Sequence, residues 1–245
     1  MKRLAVISDI HGNRWALEAV LDDIDRQGVS EVVNLGDVLY GPLDPLGTAE
    51  ILMPRHFATV SGNEDRLVTA SSEPLSPTLD FVRVQLRQTH IEWLLSFEKT
   101  LSVGEILAFH GTPTTDSDYL LWEIRPLGAT PRSPEDLLAV LRNLPCSLVL
   151  CGHDHVPRTM RLADGRTVVD PGSVGLPAYT DDLPYPHSMA TGTPHARYSI
   201  VTLTDRGWLV ADRAVPYDWD AAASAALKNG RPDWARWLSS GKARA

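Results

Sequence analysis

Six short apolar runs of this chain each end abruptly in residues that can bind a metal ion. Apolar strands that end in polar residues place those residues at one edge of a sheet, where α/β proteins build their functional sites. One such ending carries little weight, but an ordered set of them constrains the fold strongly. The endings are Ser8-Asp9-Ile10-His11, Gly36-Asp37, Gly62-Asn63-Glu64-Asp65, His110-Gly111, Gly152-His153-Asp154-His155 and Pro171-Gly172-Ser173.

Length and charge limit the class of protein. A chain of 245 residues can bury one sizeable core, and we expect a single domain over residues 1–245. The formal net charge of −8 argues against a broad nucleic-acid interface, which usually needs a basic face. A local basic strip would still allow a nucleic-acid substrate, so DNA or RNA substrates are less favoured but are retained as an alternative. No apolar run has the length of a membrane span or a signal sequence, so we predict a cytoplasmic protein without a membrane partner.

The two cysteines are predicted to be unpaired. Cys146 and Cys151 flank a predicted strand over 147–150. Five residues of extended chain cover about 16 Å, which exceeds the Cα separation that a disulfide allows. Both cysteines are therefore interpreted as small thiols in a reducing compartment, and a ligand role for Cys151 is the less favoured alternative.

Apolar periodicity predicts helices laid on sheets. An apolar stripe with the spacing of one helical face predicts a helix over 13–26. Its alternation with buried strands is typical of sheets flanked by helices, and Gly-containing turns later in the chain predict two hairpins. The predicted strands are 4–8, 32–35, 57–60, 106–109 and 147–150, further helices begin near Thr48, Ser76 and Ser133, and the hairpin arms are 158–162 with 167–169 and 198–203 with 208–211.

Two of these helices carry specific expectations. The helix from Ser76 is predicted to continue toward Phe97, because Pro77 at its first position follows a capping hydroxyl. The helix from Ser133 is predicted to bury one apolar face. That face consists of Leu137, Leu138, Val140 and Leu141.

Two stretches resemble insertions above the edge of the sheet. Residues 112–132 and 176–196 are rich in proline and aromatic side chains. Loops at such an edge usually shape the substrate pocket. Ordinary surface loops with a few packed aromatics are an equally good interpretation.

The strand ends together offer enough donors for two metal ions. Two divalent ions solve the problems of phosphate ester hydrolysis, because they acidify a water molecule and neutralise the phosphoryl oxygens. Imidazole with carboxylate donors suits Mn, Fe, Zn or Ni better than Ca, and the absence of thiolates argues against a structural zinc site. The candidate ligands are Asp9, His11, Asp37, Asn63, His110, His153 and His155, with Asp37 shared by both ions.

Two of the motifs contain alternate donors. In an extended segment, alternate residues point to the same face. We therefore expect Asp9 with His11, and His153 with His155, to direct both side chains of each pair into one cavity from extended backbone.

The ordered motifs resemble the calcineurin-like metallophosphoesterase superfamily, whose motifs run D-x-H, G-D, G-N-x-D/E, H-G and G-H-x-H. The chain is most similar to its small bacterial and archaeal branch of phosphodiesterases and diadenosine-tetraphosphatase-like proteins. The match spans residues 4 to about 211. The segments that carry the branch resemblance are Ser8-Asp9-Ile10-His11-Gly12-Asn13, Gly36-Asp37, Tyr40-Gly41-Pro42, His110-Gly111-Thr112-Pro113 and Asp170-Pro171-Gly172-Ser173-Val174-Gly175.

The resemblance implies a fold and a mechanism. The implied α/β (α+β) fold is a four-layer α/β/β/α sandwich of two mixed sheets flanked by helices. The implied cofactors are two divalent transition-metal ions, manganese first, with Fe, Zn or Ni as alternatives, and a bridging hydroxide attacks phosphorus in line. One ion is implied to bind Asp9, His11, Asp37 and His155, and the other Asp37, Asn63, His110 and His153.

The third motif departs from the family pattern. Many superfamily phosphatases have a histidine after the asparagine, where it can protonate the leaving group, but this chain has Glu64. A carboxyl group could act there only with a raised pKa, and a bystander role is the alternative. The catalytic set implied by the resemblance is therefore Asp37, Asn63 and His110, with Glu64 undecided.

Several further residues are assigned supporting roles. Asp65 matches an acidic position that orients its neighbours. Gly12 and Asn13 are placed near the phosphate, although Asn13 as a simple helix cap is an equal alternative. Four other histidines are interpreted as structural or solvated, with a substrate contact as the alternative for the two in the second insertion. The indoles near the C-terminus are interpreted as a helix-docking surface, with base stacking or an oligomer contact as alternatives. These residues are His56 and His90 (structural), His187 and His195 (solvated loop), and Trp234 and Trp237 (docking).

The combined prediction is a binuclear metal-dependent phosphoesterase. Its expected substrates are phosphodiesters, nucleotides or other small phosphate esters. The alternatives are a catalytically inactive scaffold with the same fold, and a protein phosphatase. The complete ligand set argues against the first, and the proline-rich loops over the site favour a substrate smaller than a protein.

Overall fold

A computed structural model describes residues 3–70 and 76–243 of the chain. Two five-stranded sheets dominate this part of the structure. The strands are β1 (Arg3–Ile7), β2 (Glu31–Asn34), β3 (Ala58–Thr59), β4 (Thr100–Val103), β5 (Ile106–Phe109), β6 (Trp122–Arg125), β7 (Gly128–Pro131), β8 (Leu148–Leu150), β9 (Arg158–Arg161), β10 (Thr167–Asp170), β11 (Ala178–Asp181), β12 (His187–Ala190), β13 (Ala196–Thr204) and β14 (Gly207–Val215). The helices are α1 (Arg14–Arg26), α2 (Pro45–Leu52), α3 (Asn63–Thr69), α4 (Pro77–Gln85), α5 (Gln88–Leu95), α6 (Pro134–Leu141), α7 (Trp219–Lys228) and α8 (Pro232–Ser240).

Both sheets are mixed, as predicted. The first sheet has the order β14-β13-β1-β2-β3, in which β1 runs parallel to β2 and antiparallel to β13. The second has the order β4-β5-β8-β10-β9, in which β8 runs parallel to both β5 and β10. The two predicted hairpins are the antiparallel pairs β9–β10 and β13–β14.

The apolar alternation of the strands builds four layers. Leu4 and Val6 of β1 face the second sheet, where Ile106 and Leu148 complete the inner core. The alternate residues of β1 pack against α1 on the outer side of the first sheet, and α6 covers the second sheet. The arrangement confirms the predicted α/β/β/α sandwich.

Helix α1 matches its prediction closely. Asn13 caps it by accepting a hydrogen bond from the Ala16 N–H at 3.1 Å. Its buried stripe includes Leu17, Val20 and Ile24. The stripe packs against the first sheet because the 3.6-residue period brings these positions to one side of the helix.

The helix predicted from Ser76 to Phe97 is wrong as a single element. Leu86 and Arg87 adopt extended backbone between α4 and α5. His90 Nδ1 accepts the Arg87 N–H at 3.0 Å, which satisfies the first donor of α5 and accounts for the new helix start. His90 therefore has the structural role assigned to it.

The predicted apolar face of α6 needs one correction. Leu137 and Leu141, four residues apart, are fully buried against the second sheet. Val140 is 46% exposed because the helical period turns it away from that face.

The two stretches interpreted as loop insertions each contain a hairpin. Residues 112–132 include β6 and β7, and residues 176–196 include β11 and β12. The prediction of a solvated His187 is wrong, because β12 directs this side chain inward and leaves it only 2% exposed.

Three simpler predictions concern the thiols, the C-terminal indoles and membrane spans. Cys146 and Cys151 are both free. Trp234 and Trp237 are buried on α8 and dock it by their indoles, as predicted. Among the helices of the described ranges, none combines the length and the apolar character needed to cross a bilayer.

Asp23 ties α1 to the first sheet, and its replacement should cost stability. The Tyr198 hydroxyl donates to Asp23 Oδ2 at 2.7 Å and the Arg213 guanidinium donates at 3.1 Å. Burial opposes ionisation, but these donors lower the pKa of Asp23 below its ordinary value. We expect Asp23→Asn to lower the free energy of unfolding by about 1–3 kcal/mol at pH 7, measured by urea denaturation.

The sign of the pH dependence follows from the lowered pKa of Asp23. Stabilisation by a carboxylate with a depressed folded pKa is complete above its unfolded value, about 3.9, and disappears as the pH falls through the folded value. The difference between wild type and Asp23→Asn should therefore shrink toward pH 3. The exposed neighbour Asp22, changed to Asn, is the control. A difference that persists unchanged at pH 3 would contradict the ionic role of Asp23.

Candidate active site

The strand ends bring six of the seven predicted ligands into two adjacent groups. Candidate ligand atoms within each group lie within 4.8 Å of one another. Asn63, the seventh, places its Oδ1 3.1 Å from His110 Nε2. The groups are Asp9, His11 and His155, and Asp37, His110 and His153.

Five of the predicted ligands have backbone in the left-handed conformation. Of the described residues other than glycine, six have positive φ, and all but His56 are predicted ligands. This conformation is costly for residues with a Cβ, typically about 1–3 kcal/mol each, and its concentration at one place is characteristic of functional sites. The residues and their φ angles are Asp9 (54°), His11 (52°), Asp37 (54°), His153 (75°) and His155 (64°).

The prediction that the alternate donors lie on extended segments is therefore wrong. Each segment leaves its strand and turns sharply at the donor residues. The two histidines of the fifth motif line one cavity, as predicted, although His153 joins the group of Asp37 and His155 joins the group of Asp9.

Each of the four histidines has one ring nitrogen anchored to a backbone carbonyl. A carbonyl oxygen can only accept, so these four ring nitrogens carry the proton and fix the tautomer. Histidine ligands of metals are typically oriented in this way. The bonds run from His11 Nδ1 to Tyr40 O at 2.9 Å, His110 Nδ1 to Leu35 O at 2.7 Å, His153 Nε2 to Ser117 O at 3.1 Å and His155 Nδ1 to Leu176 O at 2.7 Å.

The second ring nitrogens of His11 and His155 face each other. His11 Nε2 and His155 Nε2 lie 3.1 Å apart. Asp9 Oδ1, a buried oxygen without a hydrogen-bond partner, lies 3.3 Å from His155 Nε2. Lone pairs that converge at this range repel unless a proton or a metal cation lies between them. The donor set therefore fits a divalent transition metal with nitrogen and oxygen ligands.

The charge environment agrees with a cation site. Burial, followed by a neighbouring histidine, lowers the pKa of His11 and of His153 to about 4, so both rings are neutral at pH 7. Burial opposes protonation of His110 as well, but Asp37 and Asp9 raise its pKa to about 10. Positive charge is thus favoured between the carboxylates.

Asp65 organises the backbone that presents Asp37. Its Oδ2 accepts the N–H groups of Asp37 at 2.8 Å and Gly62 at 2.9 Å, and its Oδ1 accepts the Val38 N–H at 2.9 Å. The Glu64 N–H donates to Asp37 Oδ1 at 2.8 Å. The start of α3 therefore holds both the backbone and the carboxylate of Asp37.

Glu64 lies at the wall of the site cavity. Its Oε2 is buried and has no hydrogen-bond partner. Burial and the nearby charge of Asp37 raise the pKa of the Glu64 carboxyl well above its usual range. The condition that a proton donor at this position would need is therefore present.

Neither Gly12 nor Asn13 is among the described residues that line the cavity. Besides capping α1, Asn13 donates from Nδ2 to Gly175 O at 2.9 Å. The observed contacts of Asn13 are thus those of a structural cap.

The cavity itself, of about 210 Å³, also contains residues that the motifs did not reveal. They come from the two insertions and from the C-terminal segment that begins at Arg231 and includes α8. The aromatic content of the insertions was a weak signal for the tyrosines, but no pattern singled out the two charged residues. The additional lining residues include Tyr119, Tyr179, Asp181, Arg231, Trp234 and Trp237.

A hydrogen-bonded chain joins the two insertions above the candidate ligands. The Tyr179 hydroxyl is 2.6 Å from the Tyr119 hydroxyl, which is 2.9 Å from His187 Nε2. The tyrosine rings lie 4.8 Å (Tyr119) and 4.5 Å (Tyr179) from the rings of His153 and His155. The insertions therefore form a fixed wall beside the site.

Comparison with known proteins identifies the family. The family model described as the calcineurin-like phosphoesterase superfamily domain matches residues 1–193. The chain belongs to this superfamily, which confirms the resemblance carried by the motifs.

Three relatives illustrate the similarity. The metallophosphoesterase of Sphaerobacter thermophilus has 24% identity and a TM-score of 0.77, with 98% of this chain and 100% of the other covered. A hypothetical protein of Pyrococcus horikoshii has 20% identity and a TM-score of 0.75 over the whole of both chains. An uncharacterised protein of Methanocaldococcus jannaschii is 24% identical over 94% of each chain. At these identities the solved structures support the fold.

Proposed function

We propose that the protein hydrolyses phosphodiesters or other small phosphate esters, including nucleotides, with two divalent transition-metal ions. The observation that carries the proposal is the convergence of two groups of nitrogen and oxygen donors whose histidines are all anchored by backbone carbonyls. Such a cluster has no evident structural purpose without a cation. The family is one of phosphoesterases, which supports the reaction class.

The donor groups suggest how the ions would be held. Asp9, His11 and His155 would bind one ion, while Asn63, His110 and His153 would bind the other, with Asp37 shared. Manganese is the first choice for this nitrogen and oxygen donor set, and Fe, Zn or Ni are alternatives. When bound, a pair of such ions activates water and neutralises phosphoryl charge.

The protein's own side chains would prepare this chemistry. The carbonyl bonds keep the histidine lone pairs directed at the site, and Asp65 keeps Asp37 in place. The tyrosine wall limits access of solvent from the side of the insertions. Glu64, with its raised pKa, is available to hold a proton near the leaving group.

The cavities favour a diester. The site cavity of about 210 Å³ shares Tyr119 and Asp181 with a neighbouring cavity of about 530 Å³. A second ester group could occupy the larger space while the phosphoryl group lies among the ligands. A site of this size argues against a protein phosphatase, and the strained, complete donor set argues against an inactive scaffold.

We also propose a single domain in the cytoplasm. Strand β13, late in the chain, pairs with β1 and so joins an early and a late segment of the chain in one sheet. The unpaired Cys146 and Cys151 suit a reducing compartment.

Hydrolysis of two model esters tests the proposal. Initial rates with bis-p-nitrophenyl phosphate and p-nitrophenyl phosphate would be measured with metal-stripped protein and after addition of Mn²⁺. We expect Mn²⁺-dependent turnover with the diester preferred. No turnover of either ester with Mn²⁺, Fe²⁺, Ni²⁺ or Zn²⁺ would contradict the proposal.

Glu64→Gln should have a modest effect on the same assay. Nitrophenolate leaves without protonation, so we expect the rate with bis-p-nitrophenyl phosphate to stay within about tenfold of wild type. The change is nearly isosteric, which makes it a test of the proton and not of packing. A loss as large as that of Asp37→Asn would show that Glu64 has a larger role.

A further inference from the structure

The C-terminal helix α8 forms part of the wall of the site cavity. Its residues lie beyond residue 193, where the family match ends. Arg231, Trp234 and Trp237 line the cavity together with candidate metal ligands such as His11. The helix therefore adds chemistry to the site that the family motifs do not contain.

The helix is built into the structure at both ends. The Trp234 ring packs edge-on against the His11 ring, with centroids 5.8 Å apart. Before α8, Asn229 Nδ2 donates to Pro42 O at 2.9 Å. After it, Gly241 O accepts a hydrogen bond from the Gly192 N–H, in the loop that follows β12, at 2.8 Å. These contacts hold the wall in a defined position beside the ligands.

The guanidinium of Arg231 is held but not saturated. Its Nε and Nη2 donate to the two carboxylate oxygens of Asp233 at 3.0 and 2.7 Å, and its Nη1 donates to Thr78 Oγ1. The Trp234 ring lies 5.5 Å from its central carbon. A guanidinium has five N–H groups, so these bonds leave one on each terminal nitrogen.

Arg231 differs in charge from the other residues that line the cavity. Among the described residues that line it, Arg231 carries the sole guanidinium or ammonium group, beside the carboxyl groups of Asp37, Glu64 and Asp181. Its side chain is 28% exposed, so it remains accessible. A planar guanidinium that is held by Asp233 and Thr78 and keeps two further N–H groups suits a phosphate oxyanion better than a flexible ammonium does.

We propose that Arg231 is a substrate-binding residue that donates its two remaining N–H groups to the anionic phosphoryl group of the ester. Asp233 and Thr78 act as positioning residues for the guanidinium. The inference rests on the proposed function in one respect, since it takes the bound anion to be the phosphoryl group of that substrate. It adds a recognition element supplied by the residue that precedes α8.

The test compares Arg231→Gln with wild type in the metal-loaded protein. Inorganic phosphate would be titrated by calorimetry, and KM and kcat would be measured with bis-p-nitrophenyl phosphate. We expect phosphate affinity to fall about tenfold to a hundredfold, KM to rise comparably and kcat to change less. Mn²⁺ affinity should be unchanged. Arg236→Gln, an exposed position on the same helix, is the control.

A charge-neutral double variant separates direct contact from a general field. Arg231→Gln with Asp233→Asn keeps the net charge of wild type, and we expect it to remain as weak as the single variant. Recovery of phosphate affinity in the double variant would overturn the direct contact. Arg231→Lys, which keeps the charge without the fork, should recover only part of the affinity and guards against a folding defect in the glutamine variant.

The outcomes also distinguish the two proposals. Ester turnover with unchanged phosphate affinity and KM in Arg231→Gln would overturn the role of Arg231 and leave the proposed function intact. Phosphate binding that depends on Arg231, without any ester turnover, would support the role of Arg231 and overturn the proposed function. Neither turnover nor phosphate binding in wild type would overturn both.

Discussion

Asp37→Asn is expected to reduce turnover by roughly a thousandfold or more. Asp37 belongs to the group of His110 and His153, with Oδ2 3.3 Å from His110 Nε2, and is the carboxylate proposed to be shared by both ions. An amide keeps the shape but removes the negative charge that both ions would share. The measurement is kcat with bis-p-nitrophenyl phosphate at saturating Mn²⁺, beside the number of Mn²⁺ ions bound per chain.

The same substitution should weaken metal pairing. We expect the variant to bind fewer than two Mn²⁺ ions per chain under conditions that load wild type fully. Asp22→Asn, at an exposed position of α1, controls for the loss of one negative charge. Turnover close to wild type in Asp37→Asn would eliminate the bridging role.

Asp65→Ala is expected to damage both the fold and the site. It leaves three buried N–H groups without their acceptor, those of Asp37, Val38 and Gly62. Each unsatisfied donor costs about 1–3 kcal/mol, so a loss of about 3 kcal/mol or more in the free energy of unfolding is expected. Residues that orient metal ligands typically contribute about 10- to 100-fold to affinity or activity.

Asp65→Asn is the informative companion variant. An amide retains one accepting oxygen and turns an NH₂ group toward the remaining N–H donors. We expect an intermediate loss of stability, measured by urea denaturation, and an intermediate loss of Mn²⁺ affinity. Wild-type stability in Asp65→Ala would show that these three hydrogen bonds contribute nothing to the start of α3.

The layered fold could be predicted because its periodic patterns are local. The stripe of α1 and the alternation of β1 specify which side of each element is buried. The break at Leu86 could not be predicted in the same way, because it depends on a histidine side chain that caps α5. Val140 was misassigned because the four apolar residues spread over about 160° of the helix circumference, which is wider than the face that the second sheet covers.

The candidate site could be predicted in part, because some of its signals are also local in the sequence. Donor residues at strand ends are visible in sequence, but the left-handed backbone of His11 or His153 is not, because apolar patterning does not report φ. His187 was taken as solvated, although its alternation with Met189 in β12 was a usable sign of burial. Arg231 and Asp181 reach the cavity only through tertiary packing.

Anomalous diffraction from crystals of the metal-stripped protein soaked with Mn²⁺ tests the central claim most directly. We expect two peaks about 3.5–4 Å apart, one beside Asp9, His11 and His155 and the other beside Asn63, His110 and His153, with Asp37 between them. A single peak, or none at these residues, would contradict a binuclear site.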